Sequence, residues 1–142
     1  MSPNVPSPRA RDALGALLEA NNRHDPEAAA SLYADGGTHE DVAQARPARG
    51  RAAIADGLRR FLASFPDARW EVARLTGDDV MGSAEYTLTG TLSKDLGPFR
   101  AAGQRVELRG VMVVVVDDDG ISASRDYWDS STLGRQTDQP AS

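Results

Sequence analysis

A β-hairpin is predicted by the sequence RVELRGVMVVVVDDDGISASRDYWD, which spans residues 105–129. Its first half, 105–116, ends in an unbroken apolar run that is typical of a strand buried on both faces. Three aspartates and Gly120 follow, and they supply the residues that a tight turn requires. The second half, 121–128, alternates between two faces and predicts the returning strand.

Alternation along the second strand places Ser122, Ser124, Asp126 and Trp128 on one face of the sheet. Asp126 therefore lies beside an aromatic ring at the end of a buried strand. In an apolar setting, desolvation raises the pKa of a carboxyl group towards neutrality, where general acid–base catalysis is efficient. Asp126 is thus the first candidate catalytic residue. The alternative is a structural carboxylate that is paired with a neighbouring arginine, either Arg109 or Arg125.

Composition restricts the class of protein. The chain has 142 residues and a formal net charge of −5, which fits a single domain with its own core. No cluster of lysine and arginine is present, so a nucleic-acid partner is not expected. The chain contains no cysteine, which excludes disulfides and thiolate sites. It has neither an apolar run of membrane length nor a signal-peptide pattern, so we expect no membrane partner and a cytoplasmic location.

The remaining periodicities predict three helices followed by a sheet. Helical spacing indicates helices over residues 9–22, 26–33 and 51–65. A short strand at 38–42 and a loop from there to Gly50 separate the last two helices. Further strands are predicted over residues 70–76 and 80–92, ahead of the hairpin. Residues 1–8 are expected to form a flexible leader, and 130–142 a short tail that is anchored by Leu133 and flexible over 137–142.

This order predicts an α+β fold, in which a curved antiparallel sheet is wrapped by three N-terminal helices. Such a sheet leaves a cone-shaped cavity, and the function then depends on the residues that line it. Aromatic residues are the natural lining, and we expect Trp128, Tyr86 and Phe61 to contact a ligand.

His39 is a second candidate catalytic residue because it lies on the short strand near the expected mouth of the cavity. It could transfer a proton or orient a substrate carbonyl. The alternative is an exposed loop histidine. No HExxH spacing or second nearby histidine accompanies it, so we expect no metal. Nucleotide-binding and nucleophile-elbow motifs are also absent from the sequence, and no cofactor is expected.

Three stretches resemble the SnoaL-like polyketide cyclases, a branch of the nuclear transport factor 2-like superfamily. They are NNRHDPEAAASLYAD, RGRAAIADGLRRFLASFPDARWEV and GQRVELRGVMVVVVDDDGISASRDYWDSSTLGRQ. The resemblance covers residues 12–136. It implies an α+β cone, often assembled as a homodimer through the sheet, and ring closure by intramolecular aldol condensation without metal or cofactor. It also implies that the general acid/base is Asp126. A histidine on the preceding strand assists in those cyclases, and its position falls on Met112, which cannot transfer a proton.

Three functions follow as hypotheses. The first is an aldol-type cyclase that acts on a polycyclic aromatic ester or ketone, with Asp126 as the acid/base and Met112 as part of the ligand-binding wall. The second is an enzyme that opens an epoxide or hydroxylates its substrate, using Asp126 with an arginine and a water. The third is a non-catalytic module for small-molecule binding or dimerisation. A second polar group facing Asp126 would favour the two enzymes.

Overall fold

The computed structural model describes residues 8–138. The expected leader, apart from Pro8, and the end of the expected tail, residues 139–142, lie outside the described residues. Within the described part the elements are α1 (Arg9–Asn22), α2 (Pro26–Ser31), β1 (Tyr33–Asp41), a 3-10 turn (Val42–Gln44), β2 (Arg46–Arg49), α3 (Arg51–Ser64), β3 (Arg69–Gly77), β4 (Met81–Leu92), β5 (Gln104–Asp117), β6 (Gly120–Trp128) and α4 (Ser130–Thr137).

The predicted helices form where the apolar stripes indicated them. One face of α1 is buried through Leu14, Leu17 and Leu18, which pack against the sheet. At the start of α2, the Asp25 carboxylate accepts a hydrogen bond of 3.0 Å from the Ala28 N–H, and Pro26 occupies the first helical position. None of the described helices is long and apolar enough to cross a membrane.

The six strands form one curved sheet in the order β2-β1-β6-β5-β4-β3. The α+β class is confirmed, but the sheet is mixed because β1 pairs with β6 in parallel. The other neighbours are antiparallel. The expected loop before Gly50 contains β2, which pairs with β1. Alternation indicates a strand but not its neighbour or its direction, so neither the parallel pairing nor this short edge strand was predicted.

The C-terminal segment forms α4 and is not a tail over residues 130–137. The Asp129 carboxylate caps this helix by accepting from the Ser131 N–H at 2.9 Å. Leu133 is fully buried, as an anchor should be, and Gln136 forms two hydrogen bonds of 2.8 Å with the Glu107 backbone. The expected flexible segment therefore begins inside a helix that packs on β5.

Bending of the sheet creates the cavity. Irregular pairing interrupts β3 between Val72 and Arg74, and β5 and β6 between Val115 and Val116. Extra residues of this kind increase the local twist and bend a sheet. Helices α1, α2 and α3 cover the concave face, and the core between them and the sheet is built from leucine, valine, alanine and aromatic side chains.

Candidate active site

A cavity of about 390 Å³ lies between the helices and the concave face of the sheet. Its wall is mostly apolar and includes side chains from α1, α2, α3 and the inner strands. This size and character are typical of a small-molecule site. Several polar groups interrupt the apolar wall, and four of them, which we call the polar cluster, come from β1, β4 and β6: His39, Asp41, Tyr86 and Asp126.

Asp126 lies at the centre of the polar cluster. The register pairs it with Met112 on β5 and with Asp41 on β1. Its Oδ1 accepts a hydrogen bond from the Tyr86 hydroxyl. The pKa of Asp126 is raised from 3.8 to about 7, chiefly by burial; the Tyr86 hydrogen bond lowers it, and the negative charge of Asp41 raises it. At neutral pH the carboxyl group can therefore either accept or donate a proton.

The structural alternative for Asp126 was an ion pair with Arg109 or Arg125. Both arginines are exposed, and neither forms a salt bridge with Asp126 in the part of the chain that the structure describes. Arg125 precedes Asp126 on β6, so its side chain points to the opposite face of the sheet. The partners of Asp126 are instead polar groups of the cavity.

Gly110 allows Tyr86 to reach Asp126 across an intervening strand. Tyr86 is on β4, Asp126 is on β6, and Gly110 on β5 is the register partner of Tyr86. A Cβ atom at Gly110 would collide with the hydroxyl and the ring of Tyr86. Burial raises the pKa of Tyr86 well above its ordinary value, and Asp126 raises it further, so the phenol remains a donor. No role was predicted for Gly110, because a glycine in a strand shows no partner until the register is known.

Asp41 is another site residue for which the sequence predicted no role. Its Oδ1 accepts a hydrogen bond of 2.8 Å from the Trp128 indole Nε1, so Asp41 holds the Trp128 ring in the wall. Asp41 is also the parallel register partner of Asp126. The signal that could have found it is its place two residues after His39, on the same face of a strand.

His39 belongs to a chain of hydrogen bonds inside the cavity. Its Nδ1 lies 2.7 Å from the Ser124 hydroxyl, which in turn lies 2.7 Å from the Tyr33 hydroxyl. Burial lowers the pKa of His39 from 6.5 to about 4 and raises that of Tyr33 to about 12. The imidazole is therefore neutral at neutral pH, and it is not an exposed loop histidine.

The other predicted contact residues also line the cavity. Met112 is buried directly opposite Asp126, where the resemblance places the assisting histidine of the cyclases. Phe61 stacks with Phe65 and Trp70 at ring-centre distances of 5.1 and 5.6 Å. The structure thus brings all six predicted site residues to one cavity. Within residues 8–138, no group of three or more histidine, aspartate or glutamate side chains is placed to hold a metal ion.

Solved structures share this architecture. A protein from Xanthomonas campestris pv. campestris, provisionally assigned as a polyketide cyclase, is 28% identical, with a TM-score of 0.81 over 91% of this chain and 96% of that chain. A provisionally assigned hydroxylase from Streptomyces galilaeus is 20% identical, with a TM-score of 0.76 over 95% and 89%. An epoxide hydrolase from M. tuberculosis, described as LEH-like, is 23% identical, with a TM-score of 0.71 over 91% and 89%.

The curated proteins contain no match to this sequence. A family model does match: that of the SnoaL-like polyketide cyclases covers residues 11–137, nearly the whole chain. The resemblance seen in the sequence is therefore confirmed, and the protein belongs to the SnoaL-like polyketide cyclase family.

Proposed function

We propose that the protein is a cofactor-independent enzyme that closes a ring in a polycyclic aromatic ester or ketone, with Asp126 as its general acid/base. The observation that carries the proposal is the half-buried Asp126 carboxyl group, which lies in an apolar cavity and accepts a hydrogen bond from Tyr86. A carboxylate in this setting is a stronger base than one in water, and its conjugate acid is available at neutral pH.

The ring closure begins with proton abstraction. The ionised Asp126 takes a proton from the carbon next to a substrate carbonyl, which gives an enolate and a neutral carboxyl group. The enolate carbon then attacks a second carbonyl of the same molecule, and the oxygen of that second carbonyl becomes an alkoxide. Asp126 returns the proton to this alkoxide, so that the substrate is isomerised and the carboxylate is restored. No external oxidant or reductant is needed.

His39 contributes to this reaction as a neutral hydrogen-bonding group. Its low pKa means that it is not an imidazolium acid at neutral pH. If the Ser124 hydroxyl donates to Nδ1, the remaining nitrogen, Nε2, carries the hydrogen and can donate to a substrate carbonyl. His39 therefore orients the substrate and stabilises the enolate oxygen, and proton transfer is left to Asp126.

Exchange of a carbon-bound hydrogen tests the first step without knowledge of the natural substrate. We expect the protein to accelerate the incorporation of deuterium from D₂O into β-tetralone, a bicyclic ketone with acidic C–H groups, as measured by proton NMR. Asp126→Asn should lose most of the acceleration, by about 10²–10⁴-fold. Exchange at the buffer rate, or equal exchange by both proteins, would contradict the proposal and favour a binding module.

Epoxide opening is a second candidate, and the pairing of Asp41 with Asp126 favours it. One carboxylate can take a proton from water while the other, as the neutral acid, protonates the epoxide oxygen. The arginine that this hypothesis expected beside Asp126 is not found among its described partners, which weakens it. Hydrolysis of styrene oxide that depends on both Asp41 and Asp126, without exchange in β-tetralone, would select this function.

A further inference from the structure

Asn21 places an amide group in the cavity wall and is not part of the polar cluster. The residue is in the last turn of α1 and is only 6% exposed, and it lines the cavity. Its side chain forms no hydrogen bond with any other residue in the described part of the chain, and its backbone carbonyl accepts from the His24 N–H. Burying an unpaired amide lowers the free energy of unfolding, so its presence indicates a role other than stability.

The amide faces the cavity space. In the range 8–138, no side-chain nitrogen or oxygen that is sealed from solvent lacks a hydrogen-bond partner. The unpaired Asn21 atoms are therefore not sealed, and the space next to this buried residue is the cavity. A primary amide offers two N–H donors and a carbonyl acceptor, so it can bind either a carbonyl or a hydroxyl group.

The neighbouring Asn22 shows what a structural asparagine does at this point of the chain. Its amide nitrogen donates to the Trp70 carbonyl at 2.9 Å, and its oxygen accepts from the Trp70 N–H at 2.7 Å. Asn22 thereby ties α1 to the start of β3. Asn21 has no such partner, although the two residues have the same side chain and are adjacent.

Asn21 and Asp126 reach the cavity from different elements of its wall. Asn21 lies in the last turn of α1, whereas Asp126 lies on β6. A ligand that contacts both residues must therefore have polar atoms at two separate places.

We infer that Asn21 is a substrate-binding residue, and that the substrate has a hydrogen-bonding oxygen, a hydroxyl or a carbonyl, which is separate from the carbon that Asp126 deprotonates. The identity of the reacting end rests on the proposed function. The contact with Asn21 does not, because it is a matter of binding.

A pair of probes that differ by one hydroxyl group tests this contact. The tryptophans Trp70 and Trp128 both line the cavity, so their fluorescence reports the binding of β-naphthol and of naphthalene. We expect the wild type to bind β-naphthol about three- to tenfold more tightly, since one net hydrogen bond is worth about that factor. Asn21→Leu should reduce this ratio to near one. Gly134→Ala in α4, where an added Cβ atom makes only an ordinary contact, should leave the ratio unchanged.

Thermal stability supplies a second readout that needs no ligand. Asn21→Leu should keep or raise the melting temperature, because it removes an unpaired buried amide. The matched variant Asn22→Leu should lower it, because the Trp70 backbone groups lose their partners. The inference is overturned if Asn21→Leu keeps the β-naphthol preference, if it melts lower as Asn22→Leu does, if only Asp126→Asn removes the preference, or if β-naphthol does not bind.

These outcomes separate the inference from the proposed function. If the protein does not accelerate deuterium exchange but the preference for β-naphthol still depends on Asn21, the proposed chemistry is rejected and the binding contact is kept. Exchange that depends on Asp126, with no effect of Asn21→Leu on the preference, would reject the contact and keep the chemistry.

Discussion

The Tyr86 hydroxyl donates to the Asp126 carboxyl group across a strand that belongs to neither residue. This hydrogen bond favours the ionised form of Asp126, whereas burial and Asp41 favour the neutral form. The pKa of about 7 is the balance of these opposing effects. Removing any one of these three effects should shift the pKa of Asp126, and with it the pH range in which this residue can transfer a proton.

Tyr86→Phe removes the stabilising hydrogen bond and leaves the burial in place. We expect the pKa of Asp126 to rise above its wild-type value of about 7, because the carboxylate loses its donor. The rising limb of the pH–rate profile for deuterium exchange should then move to higher pH. A limb at an unchanged pH would mean that Tyr86 does not act on the ionisation of Asp126.

Gly110→Ala should produce a similar defect from a different strand. The added methyl group displaces the Tyr86 hydroxyl and ring, so the hydrogen bond to Asp126 is lost. Overpacking of this kind typically costs about 1–3 kcal/mol of stability. Gly134→Ala in α4 is the matched control, since a Cβ atom there lies 3.9 Å from Phe99, an ordinary contact. Exchange kinetics should change in the first variant only; equal kinetics in both would contradict the role of Gly110.

Asp126→Asn should lower turnover by about 10²–10⁴-fold and change stability in a pH-dependent manner. The folded-state pKa of Asp126, about 7, lies above its ordinary value of 3.8. The folded state therefore holds this proton more tightly, and the contribution to stability is lost as pH rises from about 4 to about 7. Melting curves should show that the variant's advantage over the wild type is small in acid and largest above neutrality. An advantage that shrinks with rising pH would contradict the assignment.

His39 has the opposite dependence. Its folded-state pKa, about 4, lies below its ordinary value of 6.5, so the unfolded chain takes up a proton first. Stability from this residue should be lost as pH falls from about 6.5 to about 4. His39→Gln keeps an uncharged hydrogen-bonding group, and its melting temperature should fall less than that of the wild type over this range. An equal change of melting temperature with pH in the two proteins would show that His39 is not desolvated.

A homodimer is still a prediction, and the exposed apolar side chains on the outer face of the sheet support it. The side chains of Val111, Val113 and Val115 are only half-buried there, and Tyr127 is 45% exposed. We expect a symmetric homodimer through this face, because a second copy would cover the apolar row. Light scattering should give twice the chain mass, and Val113→Glu should give a monomer. A wild-type monomer at all concentrations would rule out this interface.

Local sequence patterns were sufficient to predict the helices, most strands and the cavity side of β6. The apolar stripe of α1 and the alternation of Ser124, Asp126 and Trp128 depend only on neighbouring residues. The pairing of Asp41 with Asp126 and the hydrogen bond that Tyr86 makes to Asp126 over Gly110 depend on strand order and register. Short-range periodicity does not encode either of these. β2 and the helical C-terminal segment were missed because they have only four and eight residues, too few for a clear periodic pattern.

The parallel pairing of β1 with β6 has a consequence for how the protein folds. It joins parts of the chain that are far apart, since His39 and Ser124 are separated by 85 positions and Asp41 and Trp128 by 87. Closing so long a segment costs chain entropy, and contacts of this range form slowly. Asp41 and Asp126 therefore become neighbours only when β6 pairs with β1. A chain that ended before β6 would lack Asp126, Trp128 and the parallel partner of β1.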